Sequence, residues 1–423
     1  MRKLITILYI VAATVPGLRA GAAVHVVPDS LSAGADKLTD RLLDAAQKLS
    51  DADYEGARTD LRSLVLADST MDAAWYYLGV SSYYLGDAAA AEEGLSRAVA
   101  IDTANNWYLE SLAQFYSSAS RASEAGELYL KLMERDPRRY TNPYTLTMIA
   151  ERCFSLDDSQ GAQSYYEKAL LFDENYIPAM LGMADVLRFR GDYAGCLDVV
   201  TRFASFPEVS TEPKCRYVST LISALDKRVL EELSDKVLTL TQTLVDTHPD
   251  DLVAYRTDLS VKLYFGMLPE AIDRCCDMIV FFPDDKDNAV ECYSVIGDAL
   301  FQLDDPKGAY SAYENALKLN PRCLPVLNNY AYYLATQGKK LRKALRMSRI
   351  TIEDDPDNAT YLDTCGWILH LLGRDAQAKP LFKHAMLYGA KSSPVVLLHY
   401  SIVLEALGEN DLARYYRGLA ESK

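Results

Sequence analysis

Apolar and polar positions alternate along the chain with the period of amphipathic helices, and these helices come in pairs. Within residues 72–84 the apolar side chains recur three or four residues apart, and a Gly-Asp turn follows at 86–87. A second stripe then begins with a small residue, Ala91, and continues with Leu95 and Ala98. Spacings of three and four residues place a stripe along one face of a helix. The pattern therefore predicts two antiparallel helices joined by a short turn.

The same helix pair is predicted along almost the whole chain, with a period near 34 residues. The small residue that opens the second stripe recurs at intervals of 34 to 38 residues, with one double step. Its positions are Ala57, Ala91, Ala125, Ala162, Cys196, Ala271, Ala309, Ala344, Ala378 and Ala413. Prolines close several of the segments, because proline lacks the N–H that a helix needs. The acids that follow three of these prolines, Asp250, Asp284 and Asp357, are predicted to cap the next helices.

With this period the chain resembles the tetratricopeptide repeat proteins. The motif is carried most clearly by WYYLGVSSYYLGDAAAAEEGLSRAVAID at 75–102 and YSVIGDALFQLDDPKGAYSAYENALKLNP at 293–321. The resemblance implies an all-α fold, a right-handed superhelical solenoid of stacked antiparallel helix pairs, with stability supplied by neighbouring pairs. Eleven units are counted, at 38–71, 72–105, 106–139, 143–176, 177–212, 213–251, 252–285, 290–323, 324–358, 359–392 and 394–423. Units 38–71 and 213–251 depart most from the motif.

The amino terminus has the pattern of a secretion signal. Two basic residues precede a mostly apolar run at 4–15, and small residues follow at 20–23. The run is too short to span a bilayer, which takes about 20 residues. We therefore predict a signal peptide at 1–22, a linker at 23–37 and an exported, periplasmic or secreted protein without a transmembrane segment in the mature chain. An uncleaved anchor or a buried helix is the alternative.

The segment SFPEVSTEP at 205–213 interrupts the repeats, because two prolines within nine residues stop a helix. We predict a seam at 205–212 between a first block of repeats at 38–204 and a second block at 213–423. A longer loop within an unbroken row of repeats is the alternative.

The charge of the chain excludes some partners. The net charge is −15 and the isoelectric point is about 4.9, so the chain repels phosphate backbones and nucleic acid is not a predicted partner. A basic island, KKLRKALRMSR at 339–349, contains six Lys or Arg residues and no acid. It is interpreted as a solvated helix face, with Leu341, Ala344, Leu345 and Ser348 on the buried side. A patch for anions or lipid headgroups is the alternative.

Reactive residues are present, but they do not form a motif for catalysis or metal binding. Cys365, His370 and His384 fall within one predicted helix pair, and no HExxH, GxGxxG, GxxxxGK[ST] or GxSxG sequence occurs. We therefore predict no enzyme, no cofactor and no metal site. The eight cysteines are interpreted as buried thiols on apolar stripes. Disulfides are the alternative in an exported chain.

The resemblance implies a concave groove lined by the first helices of the pairs. Its predicted residues are Tyr76, Tyr83, Trp107, Glu110, Gln114, Tyr144, Glu151, Arg188, Arg256, Asp298, Asn328, Tyr332, Asp363 and Trp367. Rings interleaved with carboxylates favour a protein or peptide segment with basic and apolar residues, through cation–π contact and burial. Some of these rings are expected to pack between helices instead. The Lys and Asn pattern with which some family members clamp a terminal carboxylate is missing.

The predicted function is a non-catalytic scaffold for protein–protein interaction in a bacterial cell envelope or outside the cell. The alternative is a glycan-binding or export-associated envelope protein, because tyrosine and tryptophan faces beside carboxylates also suit sugar rings.

Overall fold

The computed structural model describes residues 33–422, with side chains described from residue 37 onward. The predicted signal peptide at 1–22 lies outside the described residues, as does the predicted linker up to residue 32. All regular secondary structure in the described range is helical, and this range contains no strand, which confirms the all-α prediction. No helix between residues 33 and 422 combines the length and the apolar content needed to cross a membrane.

The chain divides into two compact units, Met1–Thr243 and Leu244–Lys423. We call them the N-terminal unit and the C-terminal unit, and each contains a series of helix pairs. The predicted seam at 205–212 and the two repeat blocks beside it stay predictions.

The N-terminal unit contains helices of nearly constant length, with two short additions. Its helices are α1 Ala33–Ser50, α2 Tyr54–Ala67, α3 Asp72–Tyr84, α4 Ala88–Ile101, α5 Asn106–Ser118, α6 Ala122–Arg135, α7 Pro137–Tyr140, α8 Pro143–Ser155, α9 Ser159–Phe172, α10 Ile177–Phe189, α11 Tyr193–Ala204, α12 Thr211–Ala224 and α13 Lys227–Glu232. Helix α14, Ser234–Thr247, crosses the division between the units.

The C-terminal unit continues with five helix pairs. Its helices are α15 Leu252–Tyr264, α16 Leu268–Phe281, α17 Lys286–Gln302, α18 Pro306–Leu319, α19 Leu324–Thr336, α20 Leu341–Asp354, α21 Ala359–Leu371, α22 Asp375–Ala385, α23 Pro394–Ala406 and α24 Asn410–Glu421. A short 3₁₀ helix, Ala390–Ser392, precedes α23.

Ten of the eleven predicted units contain one pair of long helices each. The exception is the unit predicted at 213–251, which holds three helices, α12, α13 and α14. Helix α12 ends at Ala224, and the backbone there does not turn through a left-handed residue as it does at the other pairs. The short helix α13 occupies this position instead, which explains why the sequence motif is weakest here.

A left-handed residue ends the first helix of the other pairs. The φ angle is positive at Ala52, Gly86, Ser120, Asp157, Gly191, Gly266, Asp304, Gly338, Gly373 and Gly408. At the first of the glycines, the amide of Gly86 donates to the carbonyl of Tyr83 and the amide of Asp87 to that of Ser82. These bonds satisfy carbonyls that the helix end leaves unpaired. The recurring turn keeps the repeats nearly constant in length.

Aspartates cap many of the helices, but three predicted caps lie one residue too early. The observed caps are Asp251, Asp285 and Asn358, each of which accepts a hydrogen bond from an amide in the first turn of its helix. The predictions had assigned this role to Asp250, Asp284 and Asp357. The reason is that the turn after each proline uses one more residue before the helix begins.

Small residues let the helices of a pair approach closely. A Cβ added at Gly297 would lie 2.4 Å from the Tyr313 ring, and one added at Gly366 would lie 2.7 Å from the Phe382 ring. The large side chain of the second helix therefore occupies the space above the glycine of the first. Fully burying a side chain of the size of Leu or Phe contributes about 1.5–3 kcal/mol, so this contact stabilises both of these repeats.

A buried lysine binds the backbone carbonyls at the end of α11 and in the loop after it. The Lys214 amine is fully buried and donates to the carbonyl of Ala204 at 2.9 Å and to that of Phe206. Both carbonyls belong to the end of α11 and the loop after it, where no helical N–H is available. Burial lowers the pKa of Lys214 from its usual value of 10.5 to about 8.

The left-handed turn can be tested within the last helix pair. Replacing Gly408, where φ is +78° and no atom crowds a new Cβ, by Ala is expected to destabilise the fold by about 1–2 kcal/mol, because only the backbone conformation is penalised. The matched control is Gly418→Ala in helix α24, which is equally uncrowded and should be neutral or stabilising. Urea unfolding measures both changes. Equal effects for the two variants would contradict the role of the turn.

The buried lysine predicts a dependence of stability on pH. The folded chain releases this proton near pH 8, and the unfolded chain releases it near 10.5. The unfolded state therefore holds more protons between these values, and the free energy of unfolding contributed by Lys214 rises with pH across that window. The free energy of unfolding of the wild type, relative to that of Lys214→Met, should rise by about 2 kcal/mol between about pH 7 and pH 9.5 in urea titrations. A difference that stays constant would show that the lysine is not perturbed.

Candidate functional site

The predicted groove residues lie on the first helices of eight pairs. In the N-terminal unit they belong to α3, α5, α8 and α10, and in the C-terminal unit to α15, α17, α19 and α21. The structure joins several of them to one another or to residues of the next pair, and these contacts decide which groups remain open to a partner.

Tyr76 and Trp107 form a joint between α3 and α5. The indole N–H of Trp107 donates to the hydroxyl of Tyr76 at 2.9 Å, and the Ser111 hydroxyl lies 3.4 Å from the same oxygen. The Tyr76 ring stacks on Tyr108 with centroids 5.1 Å apart. Tyr76 is only 2% exposed, and its burial raises the pKa of its phenol. The buried tyrosine therefore fixes the orientation of Trp107, which is half-buried.

Glu110 is held by two groups that follow helix α6. It accepts a hydrogen bond from the Tyr140 hydroxyl at 3.0 Å and one from the Arg139 guanidinium at 3.2 Å. Burial, together with the charge of Glu110, raises the pKa of Tyr140 to about 12. The carboxylate is therefore paired already, and a basic partner would have to share it with Arg139.

Tyr144 lies exposed at the start of α8. Its hydroxyl is 3.4 Å from that of the buried Tyr129, and the two rings pack edge to face at 5.4 Å. Tyr83, near the end of α3, packs edge to face on Phe115 at 6.3 Å. Tyr144 is thus held by the buried Tyr129, while part of its side chain stays exposed to solvent.

The remaining predicted residues of the N-terminal unit are Gln114, Glu151 and Arg188. Gln114 and Glu151 are half-buried on α5 and α8. Arg188 pairs with Asp185 of its own helix at 3.4 Å. Asp185 is 5% exposed, and burial raises the pKa of its carboxyl although the guanidinium opposes this.

Asp298 is the acceptor of a tyrosine-rich cluster in the C-terminal unit. The Tyr313 hydroxyl donates to it at 2.5 Å and the Asn329 amide at 3.2 Å. Burial raises the pKa of the Asp298 carboxyl, although both hydrogen bonds lower it. Phe301 and Tyr333 stack beside it with centroids 3.8 Å apart. This carboxylate binds neighbouring repeats together, since Asn329 belongs to the next pair.

Arg256, Asn328 and Tyr332 have different surroundings. Arg256 is exposed and pairs with Glu291 at 3.1 Å. Asn328 is 5% exposed, and its carbonyl oxygen has no hydrogen-bond partner among the described residues. Tyr332 is half-buried and packs edge to face on Tyr333.

Trp367 is sandwiched between two histidines. It stacks on His399 at a centroid distance of 4.1 Å and an interplanar angle of 14°, and on His370 at 5.0 Å and 28°. Each imidazole is held by an aspartate, because His399 Nδ1 lies 2.8 Å from Asp363 and His370 Nδ1 lies 2.6 Å from Asp375. We call these five residues the tryptophan–histidine cluster. Asp363 and His399 are buried, and Trp367 is half-buried.

Two of the five residues of this cluster, Asp363 and Trp367, are predicted from the sequence as groove residues on α21. His399 was missed because it lies on α23, the first helix of the next pair, from which no groove residue was predicted. Tyr313 was missed because it belongs to a second helix and reaches Asp298 from there.

The chemistry available to these clusters is recognition by rings and carboxylates. Among residues 37–422, no group of three His, Cys, Asp or Glu side chains is placed to hold a metal ion. All eight cysteines lie in this range as free thiols. Five are buried as interpreted from the sequence, whereas Cys153 and Cys323 are half-buried and Cys276 is exposed.

The buried Asp363–His399 contact predicts a loss of stability that its exposed counterpart should not show. Asp363→Ala removes the partner of a buried imidazole and is expected to cost about 1–3 kcal/mol of unfolding free energy. The control is Asp357→Ala in the loop before α21, whose contact with His384 at 2.8 Å is exposed on both sides. That change should cost less than about 1 kcal/mol. Urea unfolding compares the two, and equal losses would contradict the buried role of Asp363.

Comparison with known proteins identifies one repeat directly. Residues 290–323 match a tetratricopeptide repeat family model. They coincide with the unit that the sequence analysis placed at 290–323 and with helices α17 and α18. The chain is also 24% identical over 275 residues to BBSome complex member BBS4 of Bos taurus, covering 62% of this chain and 48% of that protein. It therefore spans about half the length of this curated relative.

Several solved structures are similar at low scores. A tetratricopeptide repeat protein from Parabacteroides merdae is 15% identical with a TM-score of 0.35, covering 67% of this chain and 94% of that chain. PilF of Pseudomonas aeruginosa is 21% identical with a TM-score of 0.34, covering 53% of this chain and 97% of that chain.

Proposed function

Because the chain is a tetratricopeptide repeat protein, we propose that it is a non-catalytic scaffold that holds a protein segment against its first helices. The tetratricopeptide repeat fold is a protein-interaction scaffold, and this supports a protein partner. The finer proposal is a segment with apolar and basic residues, bound by aromatic rings and carboxylates at the predicted groove positions.

One observation carries the proposal: the two half-buried tryptophans at groove positions are fixed in place. Trp107 is held through its N–H by Tyr76, and Trp367 is stacked against two histidines. A ring that is already ordered loses little conformational entropy on binding, and aromatic anchors carry a large share of interface energy. The half-buried Asp375 carboxylate, which holds His370 beside Trp367, adds negative charge that a basic partner residue can contact.

We further propose that the protein acts after export, in a bacterial envelope or outside the cell. The support is the sequence alone, with its basic start and its short apolar run at 4–15. A glycan ligand is the second candidate, since the same half-buried rings beside carboxylates suit the apolar faces of sugars.

The groove proposal is tested by the double substitution Trp107→Ala with Trp367→Ala. Capture of envelope proteins by the immobilised chain should fall several-fold, because both anchors are lost. Trp75→Ala serves as the control, since Trp75 is also half-buried but its indole N–H donates to the Ser69 carbonyl, outside the predicted groove. Circular dichroism checks that both variants fold. Unchanged capture by the double variant would place the binding surface elsewhere, and retention on polysaccharide alone would favour the glycan candidate.

A further inference from the structure

Helix α20 carries a stripe of exposed arginines. Arg342, Arg346 and Arg349 are all exposed, and none of them takes part in an ion pair among the described residues. Their spacing of four and three residues places them on one face of the helix. The opposite face packs inward through Ala344 and Ser348. The helix therefore has the buried side that was predicted from the sequence, and its arginines lie on the solvent-exposed side.

Ion pairs hold several other cations of the C-terminal unit. They include Arg256–Glu291, Arg322–Asp354, Lys379–Glu409, Arg414–Asp411 and Arg417–Glu405. Within the basic island itself, Lys343 pairs with Glu314 at 2.9 Å. The three arginines are thus left unpaired in a chain that has a large excess of acids.

The first cations of the basic island lie at the N-terminal end of α20. Lys339 and Lys340 precede the helix, and Lys340, its N-cap, has a left-handed backbone and provides no side-chain cap. Arg342 follows in the first turn, where a cation is unfavourable, while Arg346 and Arg349 lie in the middle of the helix, beyond the range of this end effect. The helix dipole therefore does not stabilise any of the three arginines.

From these observations we propose that the arginine stripe, defined by Arg342, Arg346 and Arg349, docks an acidic segment of a partner protein. The stripe extends about 10 Å along the helix, from the rise of about 1.5 Å per residue. In an extended segment, carboxylates on every second residue are about 7 Å apart. The long side chains of the arginines can reach carboxylates at this spacing. Arginine binds carboxylates in a bidentate manner, which favours this residue over lysine at such a site.

A short acidic segment suits the charge of the whole chain better than a large polyanion does. The net charge of −15 opposes the approach of a membrane surface or a nucleic acid, whose charges act over a wide area. A segment with three or four carboxylates interacts mainly within the Debye length of about 8–10 Å, where the stripe dominates. Because α20 is the second helix of its pair, this surface is distinct from the proposed groove on the first helices.

The test measures the affinity of the full chain for a fluorescein-labelled ten-residue peptide of alternating Glu and Ser. Fluorescence anisotropy gives this affinity at about 50 mM and at about 300 mM salt. The variant Arg342→Glu, Arg346→Glu and Arg349→Glu is expected to lower the affinity at least about tenfold. The matched control is Arg62→Glu, Arg97→Glu and Arg138→Glu, which changes the net charge equally at three exposed arginines of the N-terminal unit that form no ion pair among the described residues. The control should stay within about threefold of the wild type, and higher salt should weaken binding of the wild type more than that of the stripe variant.

Three outcomes would overturn the proposal. The first is that the wild type does not bind the peptide at the lower salt concentration. The second is that both triple variants weaken binding equally, which would assign it to net charge. The third is tighter binding of the wild type to vesicles with roughly one-third anionic lipid, or to duplex DNA, than to the peptide. The double variant Trp107→Ala with Trp367→Ala should bind the acidic peptide as the wild type does, so that a failure of the groove and a failure of the stripe are distinguishable.

Discussion

Each helix pair has more apolar surface than it can bury by itself, and this constraint underlies the whole structure. Leu95, Tyr313 and Phe382 of the second helices are completely buried, and the glycine opposite each of them leaves the space that it fills. The residual apolar surface of one pair must then be covered by the next pair. Stability is therefore a property of neighbouring repeats, as expected for a repeat array.

The same constraint explains why recognition and packing share residues. The first helices place their rings at the junctions between pairs. Tyr76 and Asp363 are buried there, whereas Trp107 and Trp367 are only half-buried. A buried polar group at such a junction must be paired to avoid a cost of about 1–3 kcal/mol. The hydrogen bond between Tyr76 and Trp107 and the contact of Asp363 with His399 meet this requirement. In each case the buried group determines the orientation of the more exposed ring.

Some charged residues are buried and paired inside the fold, whereas others are exposed and form no ion pair among the described residues. Asp258 is fully buried and accepts from Lys262 at 2.6 Å and from Arg274 at 2.7 Å, so its charge is compensated inside the C-terminal unit. The arginine stripe of α20 is the opposite case, since its three guanidinium groups face solvent. Buried charges need partners because desolvation is costly, whereas exposed charges can stay unpaired at little cost. Unpaired arginines on a single face are therefore free to serve recognition.

The sequence by itself determined the helix pairs, their period and the positions of most turns, because these depend on local patterns of small, apolar and turn-forming residues. The unit at 290–323 is one example, and the turn at Gly86 is another. Local patterns could not decide the third helix at Lys227–Glu232, the one-residue shift of the caps to Asp251, Asp285 and Asn358, or the partners of the groove residues. Only the tertiary structure decided that His399 lies against Trp367 and that Tyr313 reaches Asp298. The physical reason is that these contacts join different helices, and their geometry depends on how closely neighbouring helices pack.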